Sequence, residues 1–269
     1  SFNQNISSWN TAAVTIMDYM FNGATAFNQN INTSGSSWNT AAVTNMAYMF
    51  NGATSFNGNI SSWNTAAVTR MDYMFRGATA FNQNINTDGS KWNTAAVIRM
   101  YYMFEGATAF NGNITSWNTA AVTRMDNMFY GATAFNQNIN TNENIWNTAA
   151  VTNMYFMFNG ATSFNGNITS WNTAAVTRMD KMFNGATAFN QNINTSGSSW
   201  NTAAVTNMYY MFNGATSFNG NISGWNTAAV NRMDKMFNGA TSFNGNISSW
   251  NTAAVTNMYY MFNGATSFN

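Results

Sequence analysis

Cysteine, histidine and proline are all absent from this 269-residue chain, and charged residues make up only 6% of it. Without cysteine there are no disulfides and no thiol chemistry; without histidine the commonest metal ligand and general base is gone as well. No nucleophile and base can be assembled from what remains, so the chain reads as no enzyme, with no cofactor and no metal centre. The missing proline leaves a backbone N–H on every residue, which suits a stack of hydrogen-bonded rungs. Nine Lys and Arg against eight Asp and Glu give a net charge of +1. That is far from the dense basic footprint that nucleic acid requires, and too little to hold copies apart by repulsion. No apolar run approaches the roughly 20 residues that cross a bilayer, and no signal peptide opens the chain.

What is present is apolar and repetitive. Hydrophobic residues make up 45% of the chain and aromatics 16%, enough to bury a large core, so a folded protein is expected. Trp9, Trp38, Trp63, Trp92, Trp117, Trp146, Trp171, Trp200, Trp225 and Trp250 mark ten repeats spaced by 29 or 25 residues. A fixed period of this length specifies a repeat solenoid or a related array. The chain starts at Ser1-Phe2-Asn3 and stops at the same phase, Ser267-Phe268-Asn269. The expected organisation is one uncapped solenoid over residues 1–269, a segment of a longer array, with end-to-end stacking of copies as a second reading.

A second period lies over the first. Repeats of one type carry Arg-Met-Asp, as at Arg70-Met71-Asp72 and Arg178-Met179-Asp180; those of the other carry four extra residues before Trp, as in Asn32-Thr33-Ser34-Gly35-Ser36-Ser37-Trp38, and usually an aromatic pair. The genetic unit is a pair of repeats, 25 and 29 residues long, and Trp250 alone breaks the alternation.

Within one repeat, Val68, Met71, Met74, Phe75 and Ala78 fall at the spacing of one helix face. Asn64 or Thr65 suits an N-cap and Gly77 a left-handed C-terminal position, so the spacing predicts a helix over Ala66 to Arg76. The Phe56 to Trp63 segment reads as a short strand with flanking turns. One short strand and one helix per 25- or 29-residue rung is leucine-rich-repeat-like α/β arithmetic. Because packed helices need about 8–10 Å and strands 4.7–4.9 Å, such a solenoid is expected to be curved or superhelical. The same period also fits an all-β solenoid with Val-Thr-x-Met as the strand.

Trp63, Met71, Met74 and Phe75, with their equivalents, are the expected core, the thioethers filling gaps between layers. Asn57, Asn59 and Asn64 are expected to form amide ladders along the stack or to sit in turns. Asn5, Asn59, Asn113, Asn167, Asn221 and Asn246 each begin an Asn-Ile-Ser/Thr sequon, the candidate N-glycosylation sites. Tyr101, Tyr102, Tyr155, Phe156, Tyr209, Tyr210, Tyr259 and Tyr260 are the candidate interaction surface, since a helix would turn at least one of each pair away from the core. On a helix Arg70 and Asp72 do not face one another, which leaves a pair between neighbouring rungs. Regular Thr65 and Thr69 columns raise ice binding as a minor alternative.

The pattern Phe-Asn-x-Asn-Ile-Ser-x-Trp-Asn-Thr-x-x-Val-Thr-x-Met-x-x-Met-Phe-x-Gly-Ala, present throughout, resembles the BspA-like surface-protein repeats, a divergent branch of leucine-rich repeats found in mycoplasma lipoproteins and other microbial surface proteins. Asn replaces the family's usual Asp at Asn59 and Asn64. The resemblance implies an extracellular or cell-surface location, adhesion or surface-layer roles, and no catalysis. The expected function is a structural repeat protein whose partner is itself, in a fibre or surface filament. The alternative is an adhesion module for a host protein or glycan.

Overall fold

In the computed structural model, which describes residues 2–33, 36–87, 92–140, 146–195 and 200–269, the chain winds as a solenoid with one Trp in each of its ten rungs. The extra residues at 34–35, 88–91, 141–145 and 196–199 lie outside the described residues.

The predicted helix and the predicted strand both fail. Among the described residues there is no α-helix, and extended pairing is reduced to single parallel bridges running Ile16, Asn45, Arg70, Arg99, Arg124, Asn153, Arg178, Asn207, Arg232 and Asn257. Each bridge lies in the Val-Thr-x-Met segment, where the all-β alternative placed its strand. The reason is visible in the hydrogen bonds. In the third rung, Met74 N–H donates to Met71 O, Arg76 N–H to Tyr73 O and Ala78 N–H to Phe75 O, at 3.1–3.2 Å. These are successive tight turns. The intervening donors, Met71, Tyr73, Phe75 and Gly77, reach the next rung at Arg99, Tyr101, Met103 and Glu105. A helix would spend every one of these N–H groups on itself and leave the rungs unlinked.

Each turn closes over three residues and the next begins two residues on, and the run buries the same side chains that a helix face would bury. Met71, Met74, Phe75 and Ala78 are fully buried, as are Val68 and Trp63. The turn geometry requires a left-handed residue twice per rung. Gly77 meets one with φ 65°, and Tyr73 the other with φ 60° despite its side chain. All ten rungs repeat this pair, which rules out a helix through the segment.

In the Phe56–Trp63 segment, side-chain amides do the work of a ladder. Asn57 N–H donates to Asn28 Oδ1 of the preceding rung, Ser61 N–H to Asn59 Oδ1, and Ser62 N–H to Asn32 Oδ1. Asn64 Oδ1 accepts from Ala66 N–H, a cap-like bond with no helix behind it. Thr65 does not cap. Its hydroxyl donates to Asn93 O and accepts from Asn93 N–H, tying adjacent rungs.

The core is one continuous column of rings. Phe50, Phe75, Phe104 and Phe129 stack at 5.6–5.7 Å, and Trp92, Trp117, Trp146 and Trp171 at 6.3–6.4 Å. The Trp indole is anchored as well as buried. Trp63 Nε1 donates to Ile31 O at 2.8 Å, and every rung from Trp38 to Trp250 repeats this bond to an Ile of the preceding rung. Burying an indole without a partner for its N–H would cost about 1–3 kcal/mol.

Candidate functional site

The aromatic positions singled out from sequence fall on two adjacent outer columns, because the chain is extended at the bridge and turns left-handed just after it. One column takes Asp18, Ala47, Asp72, Tyr101, Asp126, Tyr155, Asp180, Tyr209, Asp234 and Tyr259; the other is the left-handed position. Both members of each pair therefore lie off the core, where a helix would have turned at least one of them away from it. Tyr101, Tyr102, Tyr155, Tyr209 and Tyr210 are half-buried, while Tyr259 and Tyr260 are exposed. Each pair meets edge to face, as in Tyr209–Tyr210 at 5.3 Å and 85°.

The left-handed column changes character along the chain. Tyr19, Tyr48, Tyr73 and Tyr102 stack face to face at 4.3–4.7 Å. Asn127 then interrupts the stack, 5% exposed and with its Nδ2 lacking a hydrogen-bond partner. Beyond it, cations alternate with rings: Lys181 Nζ lies 4.8 Å from Phe156 and 5.2 Å from Tyr210, and Lys235 Nζ 5.0 Å from Tyr210 and 5.7 Å from Tyr260. Asn127→Tyr restores the stack and removes the orphaned amide. It is expected to stabilise the protein by about 1–2 kcal/mol, read as a raised urea midpoint; a lowered midpoint would show that the gap in the column is favoured.

Arg70 and Asp72 pair within their own rung. Nε and Nη2 of Arg70 meet the two carboxylate oxygens of Asp72 at 3.1 and 2.8 Å, and Arg124–Asp126, Arg178–Asp180 and Arg232–Asp234 repeat this fork. The inter-rung pairing expected from a helix is replaced because extended backbone puts residues i and i+2 on one side. Arg124, Arg178 and Arg232 each also cover a Tyr of the preceding rung, with Cζ 4.4–4.7 Å from the rings of Tyr101, Tyr155 and Tyr209. Where Asn replaces Arg, as at Asn153 and Asn207, its Oδ1 accepts from the N–H two residues on.

Burial, and after it the negative charge of Asp126, pushes the Tyr155 phenol up to about 12; burial likewise raises Tyr48, Tyr73, Tyr101 and Tyr209. A phenol raised above its unfolded value of about 10 adds stability that is complete below pH 10 and lost as pH climbs through the folded value. Melting temperature is therefore expected to be flat to about pH 10 and to fall between about pH 10 and 12. The phenolate absorbance of Tyr155, taken as the difference between the parent and Tyr155→Phe, should rise over the same window; a difference titration centred on about pH 10 would contradict it.

The six sequons begin in short Asx turns. Asn5, Asn59, Asn113, Asn167, Asn221 and Asn246 each accept, through Oδ1, the N–H of the Ser or Thr two residues on. Asn5, Asn59, Asn221 and Asn246 are exposed; Asn113 and Asn167 are half-buried.

Of the Asn residues expected in amide ladders or turns, Asn59 and Asn64 sit in turns and Asn57 in a ladder along the stack, though not one that runs from Asn amide to Asn amide. Asn57 Oδ1 accepts the backbone N–H of Asn82 and Gln83 Nε2 from the next rung, part of a ladder unbroken from Asn3 to Asn269. Asn-to-Asn side-chain pairs run instead through Asn159, Asn184 and Asn213. Beside the Asn3–Asn269 ladder, every Thr hydroxyl from Thr54 to Thr266 donates to the Thr carbonyl of the rung before it. The Thr69 hydroxyl likewise bonds Thr44 O.

Among the described residues, no group of three His, Cys, Asp or Glu side chains could hold a metal, and no helix is long and apolar enough to cross a membrane. The Lys and Arg residues of the outer columns escape a reading that looks for aromatic pairs; their signal is the basic residue recurring at one phase of every second repeat.

These features define a tandem-repeat solenoid whose polar groups are largely committed to joining one rung to the next. The chain belongs to the family described as "Mycoplasma protein of unknown function, DUF285", whose model matches residues 1–88, 68–145, 121–199 and 194–269. No curated protein matches it. Among solved structures, a chain of the TLR13–ssRNA13 complex aligns at 9% identity with a TM-score of 0.27, covering 96% of this chain and 45% of the other.

Proposed function

We propose that this chain is a structural, non-catalytic repeat protein of the cell surface, of BspA-like type, that self-associates into fibres or surface filaments. The observation that carries the reading is the flank bearing the Thr25–Thr266 and Asn3–Asn269 columns. Both are mostly exposed, recur in all ten rungs and contain no charged residue. An uncharged surface with the same spacing on every copy lets two solenoids pack in register, and a net charge of +1 offers no repulsion against it. The Thr hydroxyl protons are committed to carbonyls of the preceding rung, which favours packing against protein over ordering of ice.

The test is sedimentation velocity with negative-stain electron microscopy at neutral pH. The parent protein is expected to form concentration-dependent filaments or bundles. The variant Thr108→Lys/Thr133→Lys/Thr162→Lys is expected to stay monomeric with an unchanged circular dichroism spectrum. A parent that remains monomeric at every concentration overturns the proposal.

A further inference from the structure

All the charge in the last 124 residues sits on one flank, away from the Thr and Asn columns. Those residues hold Arg178, Lys181, Arg232 and Lys235 against Asp180 and Asp234, four cations to two anions, a net +2. The two signs are layered. The Asp180 and Asp234 side chains are 0% and 9% exposed, whereas their partners Arg178 and Arg232 are 46% and 43% exposed. Each Arg spends Nε and Nη2 on the buried carboxylate, which leaves Nη1 on the outer side. A ligand approaching this flank therefore meets cations.

The cations converge on the tyrosine between them. Lys181 Nζ lies 5.4 Å and Arg232 Cζ 4.6 Å from the Tyr209 ring, although the two belong to rungs on either side of it. Lys181 and Lys235 both flank Tyr210, at 5.2 and 5.0 Å. The ring faces are thus occupied by cations, while the phenol edges, with hydroxyls that donate and accept hydrogen bonds, stand between successive pairs of positive charge.

The spacing selects the ligand. Rungs on this flank recur at the 4.3–4.7 Å seen between stacked rings of the same column, so the Arg–Lys pairs, two rungs apart, repeat every ~9 Å. An extended peptide brings its side chains back to one face every ~6.6 Å and falls out of register. A nucleic acid strand, with a phosphate every ~3.4 Å, needs a far denser row of cations. Two linked pyranose rings in an extended chain span the observed repeat.

We propose that the Arg178–Lys181–Tyr209–Tyr210–Arg232–Lys235 flank binds a linear acidic polysaccharide carrying one carboxylate per disaccharide, laid along the solenoid axis with each carboxylate on an Arg–Lys pair and the neutral sugar against the tyrosine hydroxyls. The proposal does not depend on self-association.

The test is isothermal titration calorimetry on the whole chain with hyaluronan oligosaccharides, a polymer of alternating glucuronate and N-acetylglucosamine. A tetrasaccharide, the shortest ligand reaching both pairs, is expected to bind at least about tenfold more tightly than the disaccharide, and more weakly as salt rises. Lys181→Gln/Lys235→Gln is expected to weaken binding by about tenfold or more, while Lys181→Arg/Lys235→Arg retains it. Circular dichroism and melting confirm that both variants fold. No tetrasaccharide binding at low salt, unchanged binding by the glutamine variant, or equal binding of poly-glutamate would overturn the proposal.

Discussion

Trp117→Ala is expected to cost about 3–5 kcal/mol and to lower and broaden the unfolding transition. Trp117 is fully buried, stacks on Trp92 at 6.3 Å and on Trp146 at 6.4 Å, and its Nε1 donates to Ile85 O at 2.7 Å. Truncation opens a large cavity, breaks the ring column and leaves a buried carbonyl without its donor. In a solenoid, stability is nearly a sum of rungs and rung interfaces, so a lesion at the middle uncouples the two halves. Urea melts followed by circular dichroism should show the lost cooperativity. Trp117→Phe, which keeps a ring but not the N–H, should fall between the parent and the alanine variant. A loss below about 1 kcal/mol for the alanine variant would mean that the Trp column does not couple the rungs.

The second large effect is expected where no side chain exists. Gly166→Ala places a Cβ on the carbonyl oxygen of Gln137 and 3.0 Å from its carbonyl carbon, both backbone atoms of the preceding rung. Rungs joined by hydrogen bonds on either side cannot separate locally, so the substitution is expected to cost about 3 kcal/mol, the upper part of the range for overpacking. Gly245→Ala is the control. There the three nearest atoms, at 2.9–3.8 Å, all belong to the side chain of Phe243, and no backbone atom of the preceding rung comes closer than these. A small rotation of that ring absorbs the methyl, so the cost should stay near 1 kcal/mol or below. Thermal melts of the two variants check the contrast, and equal losses would refute the account. Gly131, by comparison, is held by its φ of 67° rather than by crowding.

These two residues show how differently the chain discloses itself. Trp117 is legible in the sequence: an aromatic of that size at a fixed phase of every repeat belongs to a core. Gly166 is not, because Gly-for-Gln exchange at alternate repeats looks like surface variation until the Gln137 carbonyl is seen against it. The outer columns were half legible. Tyr209 and Tyr210 announce themselves as aromatics beside the core stripe, but Lys181 and Arg232, from rungs on either side, join them only through stacking, which linear spacing does not express.

The period of the tryptophans, the alternation of two repeat types and the scarcity of charge determine a solenoid with an apolar interior, because identical units too small to bury a core alone must bury it against each other. The local conformation was decided elsewhere. Met71, Met74, Phe75 and Ala78 suit a helix and a run of tight turns equally well, since both bring every third or fourth side chain to the same side. What separates them is where the intervening N–H groups go. With a neighbouring rung within reach of Met71, Tyr73, Phe75 and Gly77, the inter-rung bonds prevail over helical ones, and Tyr73 takes a left-handed conformation that no local preference would choose. The competition is between bonds inside one rung and bonds between two, and only the tertiary structure contains the second set.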